Sequence, residues 1–191
     1  MAIAVFASGN GSNFQALVES SRRENWPLPI SLLICDRPGA KVLDRARACE
    51  VEAICVNPKA FPDKKAYEES VLAHLRQRKI EWIVLAGYMR LIGPTLLQAF
   101  PKRIVNIHPS LLPAFPGLNA IEKAFSYPVK VSGVTVHYVD EGIDTGPILA
   151  QQPVAIEEGD TLESFERKIH FAEHQLYPRV IQALIDGGKK S

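Results

Sequence analysis

The 191-residue sequence predicts an α/β fold with a mostly parallel central sheet, helices on both faces and a mixed C-terminal part. Three observations lead there. Short apolar runs alternate with helix-period segments through the first half, the pattern of βαβ units. A glycine-rich turn, Ser8-Gly9-Asn10-Gly11-Ser12-Asn13, follows the first run and opens the first helical segment. A period-two stretch, Val131 to Val139, comes late in the chain, after the regular alternation has ended.

Taken in order, Ile3 to Ala7, Ile30 to Cys35, Ala53 to Val56 and Trp82 to Leu85 are the first four strands. All are apolar enough to predict burial on both faces. Between them, Phe14 to Arg22, Lys41 to Cys49 after Pro38-Gly39, and Asp63 to Arg78 carry helical patterns. A helix over Pro94 to Phe100 leads to a strand at Arg103 to Ile107, a proline-rich loop and a short helix at Asn119 to Phe125. In the alternating stretch, Val134, Val136 and Tyr138 share one face, and Thr135, His137 and Val139 the other. Ile148 to Ala155 reads as its antiparallel partner. From Thr161 to Ile185 the residues Phe165, Ile169, Leu176, Val180 and Leu184 stand near helical spacing, with Gly187 as a stop. Neither an internal repeat nor a linker interrupts the chain, which predicts a single domain over residues 1–191.

Composition places the chain among ordinary globular proteins, with 47% hydrophobic and 23% charged residues. A formal charge of +1 gives no electrostatic case for a nucleic-acid partner, and Lys189-Lys190 reads as a solvated end. No apolar stretch approaches the ~20 residues that span a bilayer. Met1 to Phe6 reads as a first strand rather than a signal peptide, which predicts a cytoplasmic location. Cys35, Cys49 and Cys55 are odd in number and lack CxxC spacing, so all three are expected to be buried free thiols.

The candidates for chemistry begin with Asn106-Ile107-His108-Pro109. Spaced by two on a strand, Asn106 and His108 point the same way, at the carboxyl end where open α/β sheets bind ligands. A purely structural capping role is the other reading. The glycine turn presents backbone N–H groups and a helix N-terminus, which suits a single phosphate. It lacks the Gly-Lys-Ser/Thr of a nucleotide-binding P-loop, and Phe14 stands where a dinucleotide fingerprint needs its third glycine. The alternative is a tight turn with Ser12 or Asn13 as helix cap. Asp144, between Gly142 and Gly146, could be a carboxylate partner that keeps His108 charged, or an Asx-turn residue. His137, flanked by apolar residues, reads as a satisfied core histidine. His170, Glu173 and His174 share a helical face by spacing, but no third ligand cluster accompanies them, so no metal site is predicted. Ser110 lacks the glycine-flanked elbow of a hydrolase nucleophile.

Four stretches together, SGNGSN at Ser8, LAGYMRLI at Leu85, NIHPSLLPAFPG at Asn106 and GVTVHYVDEGIDTGPIL at Gly133, resemble the folate-dependent formyltransferases. The glycine loop and the length narrow the resemblance to the glycinamide ribonucleotide formyltransferases of purine biosynthesis. It implies a Rossmann-like formyltransferase fold. It also implies transfer of a formyl group from the cosubstrate 10-formyltetrahydrofolate to the amine of 5-phosphoribosylglycinamide, with no metal and no covalent enzyme intermediate. The implied partners are these two small molecules alone, with no nucleic acid or membrane, in a monomer or homodimer.

Carried over by position, the resemblance makes Asn106, His108 and Asp144 the catalytic residues. It implies that Asn106 and protonated His108 donate to the oxyanion, and that Asp144 holds His108 charged and helps relay a proton. Gly11, Ser12 and Asn13 become the phosphate loop, with His170 and Glu173 on the ribose side. Folate binding falls to Lys64, Leu85, Met89, Arg90, Leu91, Ile92, Leu97, Ile104 and Asn106, and to the loop of Asp140, Glu141, Gly142, Ile143 and Asp144. Lys64 stands where the family often has arginine, His170 where it often has glutamine and Asn119 where it often has histidine. The rival functions are a formyl-folate hydrolase, a formyltransferase for another amine, and a folate- or nucleotide-binding module without catalysis.

Overall fold

The computed structural model describes residues 1–127 and 129–187, so the expectation for Lys189-Lys190 lies outside the described residues. The apolar runs form seven strands: β1 (Ala2–Ala7), β2 (Ile30–Cys35), β3 (Glu52–Cys55), β4 (Ile80–Leu85), β5 (Ile104–His108), β6 (Val131–Tyr138) and β7 (Ile148–Ala155). The helices are α1 (Ser12–Arg23), α2 (Lys41–Ala48), α3 (Lys64–Gln77), α4 (Pro94–Ala99), α5 (Ala120–Ser126) and α6 (Leu162–Gly187), with a 3₁₀ turn at Pro58–Ala60.

One sheet holds all seven strands in the order β3-β2-β1-β4-β5-β6-β7. The first five are parallel. The last two are added antiparallel, which is the mixed C-terminal part expected from the late alternating stretch. Strand order reverses direction at β1 and β4, so the connections leaving their carboxyl ends part and leave a crevice between them.

Both faces of the sheet are covered. Ile3, Val5, Leu33, Val84 and Val105 pack against Phe14 and Leu17 of α1, Val42 of α2 and Phe165, Ile169 and Tyr177 of α6. Ala4, Phe6, Ile34, Ile83 and Leu85 pack on the opposite face against Tyr67, Val71 and Leu75 of α3 and Leu96 of α4. Alternate residues of each central strand thus feed two separate apolar layers, which is why those strands are apolar without interruption. Among the described residues, no helix is long and apolar enough to cross a membrane.

Two expectations need correction. β3 is not buried on both faces: Glu52, Ala53 and Cys55 are exposed, because β3 is the terminal strand with β2 as its one neighbour. The cysteines are not uniformly buried either. Cys35 on β2 is fully buried and its thiol is pushed up by that burial, while Cys49 is half-buried and Cys55 lies exposed on β3.

Candidate active site

A cleft of about 700 Å³ opens at the carboxyl end of the sheet, where strand order reverses. Its walls are Gly9–Asn13 after β1, Leu85–Ile92 after β4, the end of β5 from Asn106 to Pro109, Gly117–Ala120, and the 139–144 connection between β6 and β7. His137, His170 and Glu173 complete it. A volume of this order suits a small organic ligand.

The β5 end carries the polar centre. His108 is buried, and both ring nitrogens face acceptors. Nε2–H donates to the Phe115 carbonyl at 2.9 Å, and Nδ1 lies 3.3 Å from Asp144 Oδ2. The imidazolium, a donor at both nitrogens, satisfies both contacts. Asp144 Oδ2 also accepts the Gly117 N–H at 2.8 Å. The proline-rich loop therefore folds back on the strand it leaves, giving one backbone group to the histidine and another to the carboxylate.

Asp144 is held there by local geometry. Its φ of 54° is left-handed, a region that Asp tolerates better than most residues. Asp140 Oδ1 accepts the Gly142 N–H at 3.0 Å and the Thr145 hydroxyl at 2.7 Å, which tightens the turn ahead of it. Gly146 must be glycine, since a Cβ would come within 1.8 Å of the Tyr138 carbonyl oxygen. Burial alone would raise the Asp144 carboxyl. The Gly117 N–H and the charge of His108 oppose this, and the carboxyl lies below its ordinary value.

His137 is the functional neighbour that sequence reasoning placed only in the core. It is buried and satisfied, with Nδ1–H donated to the Tyr138 carbonyl at 2.8 Å, but its other edge faces the cleft. Nε2 accepts from the Asn106 side-chain amide at 3.2 Å and lies 3.6 Å from Asp144 Oδ1, beyond hydrogen-bond length. Register explains the meeting: β6 pairs antiparallel with β5 so that His137 stands directly across from Asn106, and Thr135 across from His108. Thr135 then steadies the exit loop, donating to the Ser110 carbonyl at 2.7 Å and accepting the Leu112 N–H at 3.1 Å.

On the other side of the crevice, Gly11 caps α1 with φ 80°, so neither Ser12 nor Asn13 serves as the cap. Asn13 donates to Glu173 Oε2 at 3.1 Å, and His170 Nδ1 lies 2.9 Å from the same oxygen. Glu173 is buried, and its hydrogen bond raises the His170 imidazole above its usual range. Asn13 Oδ1 is buried with no partner among the described residues. No group of three or more His, Cys, Asp or Glu side chains among the described residues is arranged to hold a metal ion.

The β1 and β4 loops are tied together by Ser8, whose hydroxyl accepts the Met89 N–H at 2.9 Å and whose own N–H donates to the Gly87 carbonyl at 3.1 Å. Buried Glu68 accepts the Gly93 N–H and braces the turn beyond Ile92. Leu85, Met89, Arg90, Leu91 and Ile92 all line the cleft, with Arg90 over the Tyr67 ring at 5.4 Å. Four residues expected at the site do not line it. Ile104 is buried in the core, Leu97 is half-buried on α4, Glu141 points to solvent, and Lys64 opens α3 beside Gly93.

Comparison with known proteins shows the family. The family model described as formyl transferase matches residues 1–181. The chain belongs to this family. It is 56% identical over 182 residues to the phosphoribosylglycinamide formyltransferase of Bacillus subtilis (strain 168), covering 95% of this chain and 93% of that protein. The crystal structure of phosphoribosylglycinamide formyltransferase from Bacillus halodurans superposes with a TM-score of 0.94 at 53% identity, covering 98% of this chain and 97% of that one. The trifunctional purine biosynthetic protein adenosine-3 of Drosophila pseudoobscura pseudoobscura is 40% identical over 187 residues, which is 97% of this chain but 14% of that longer protein.

Proposed function

We propose that this formyltransferase moves the formyl group of 10-formyltetrahydrofolate to the amine of 5-phosphoribosylglycinamide, a step of purine biosynthesis, within the cytoplasm. The observation that carries the reading is the meeting of Asn106, His108 and Asp144 at one strand end, between a glycine loop and an apolar wall.

The phosphorylated amine sits with its phosphate at Gly11, Ser12 and Asn13. Its ribose hydroxyls donate to Glu173 and to the unpaired Asn13 Oδ1. The folate lies along Leu85 and Met89–Ile92 and against the Asp140–Asp144 turn, with its tail directed toward Lys64. The amine nitrogen attacks the formyl carbon, and the formyl oxygen takes up the negative charge. Asn106, with one amide N–H held by His137, gives its other to that oxygen. His108 keeps Nε2 on Phe115 and shares the Nδ1 proton, which at 3.3 Å is its looser contact, between Asp144 and the oxyanion. Asp144 then passes a proton from the new ammonium to the departing folate nitrogen as the old C–N bond breaks. The resulting products are formylglycinamide ribonucleotide and tetrahydrofolate.

The test is an absorbance assay of folate deformylation with and without 5-phosphoribosylglycinamide. Turnover that requires the amine supports the reading. Amine-independent turnover means a hydrolase, and ligand binding without turnover means a silent binding module.

A further inference from the structure

α2 lies beneath the Gly9–Asn13 turn and holds it at several points. The Val42 N–H donates to the Gly9 carbonyl at 3.0 Å. The Val42 side chain fills the space under Gly11, where an added Cβ would lie 2.4 Å from Cγ2. One turn further on, Arg45 reaches back to the loop with all three guanidinium nitrogens. Nε donates to the Asn10 carbonyl at 2.8 Å, Nη2 to Asn10 Oδ1 at 2.7 Å, and Nη1 to Gln15 Oε1 on α1.

Every one of these partners is a neutral oxygen. The hydrogen bonds fix Asn10 against α1 without cancelling the arginine charge, and none of the ion pairs among the described residues includes Arg45. The guanidinium stands directly behind a loop whose N–H groups and helix terminus already favour an anion.

We propose that Arg45 is the positioning residue of the phosphate loop, and that it orders Asn10 and Gly11 and lends its uncompensated charge to a bound phosphate dianion. The inference rests on the phosphate site proposed above. Its role is confined to the phosphorylated substrate: Arg45 neither lines the cleft nor touches the folate side.

The experiment compares wild type with Arg45→Gln and Arg45→Lys by steady-state kinetics and by calorimetric titration with ribose 5-phosphate. For Arg45→Gln, the KM of the phosphorylated amine and the Kd of ribose 5-phosphate should both rise by roughly tenfold or more. The kcat and the folate KM should stay within about twofold of wild type. Arg45→Lys should recover part of the loss, because it restores the charge but not the fork. Unchanged phosphate affinity with only a lower melting temperature would reduce Arg45 to a fold brace and overturn the proposal, as would an equal rise in both KM values. A wild type that binds ribose 5-phosphate but transfers no formyl group refutes the proposed activity while leaving the Arg45 comparison decisive. A wild type that binds no ribose 5-phosphate overturns the loop reading and this inference together.

Discussion

Replacing Asp144 by Asn removes one charge from the polar centre and almost nothing else. An Asn at this position still accepts the Gly117 N–H through its side-chain oxygen, and it tolerates the left-handed φ of 54° as well as Asp does. What disappears is the attraction between the carboxylate and the His108 ring, 3.3 Å from Nδ1, in side chains only 13% and 7% exposed. Two unit charges at about 4 Å attract by about 4 kcal/mol at an effective dielectric of 20. Partial solvent screening brings the expected loss to about 3 kcal/mol, or roughly a hundredfold in kcat. Steady-state assays of formyl transfer, with both substrates varied, should show that fall in kcat with both KM values within about threefold of wild type. A kcat close to wild type would refute the role given to Asp144. A large rise in both KM values at constant kcat would assign it to binding instead.

Gly11→Ala should cost about 2–4 kcal/mol in melting experiments, because the new Cβ meets Val42 Cγ2 at 2.4 Å in a backbone with φ 80°; adding Val42→Ala should return only a small part of that loss, because the Val42 Cβ still lies 2.6 Å from the new one. Tyr177→Phe removes a buried hydroxyl that lies 2.8 Å from the Leu85 carbonyl and 3.0 Å from that of Val105, so urea unfolding should show a loss of about 1–2 kcal/mol. Unchanged stability would mean that α6 needs no polar tie to β4 and β5. For His170, Glu173 raises the folded-state pKa, so the stabilisation is complete below the unfolded value and is lost as pH rises through the raised one. Wild type should then melt above His170→Gln near pH 6, and the gap should close above about pH 8. An equal gap at both values contradicts the assignment.

Much of the fold was legible because its signals are local. Uninterrupted apolar runs marked the strands buried between two helical layers, and the glycine turn after Ala7 marked the entry to α1. The alternation of Val134, Val136 and Tyr138 with Thr135 and His137 announced β6. The edge position of β3 was not legible, since Ala53, Ile54 and Cys55 read like any buried run and only pairing order leaves Ala53 and Cys55 exposed. His137 failed for a related reason. Its part in the site comes from the antiparallel register that sets it across from Asn106, and register between strands 31 residues apart leaves no trace in either segment. Phe115 and Gly117 act through backbone groups, which carry no side-chain signature in the sequence. Glu68 looks in sequence like one more polar residue of an amphipathic helix, yet it is buried beneath Gly93.

The central claim is that Asn106, His108 and Asp144 support direct passage of the formyl group between two bound small molecules. A single-turnover reaction with carbon-labelled 10-formyltetrahydrofolate, stopped at short times and resolved into protein, formate and formylated amine, tests it most directly. The account predicts that the label moves from folate to 5-phosphoribosylglycinamide with none on the protein, and that little formate appears when the amine is left out. Label retained on the protein, or released as formate at the same rate without the amine, would contradict it.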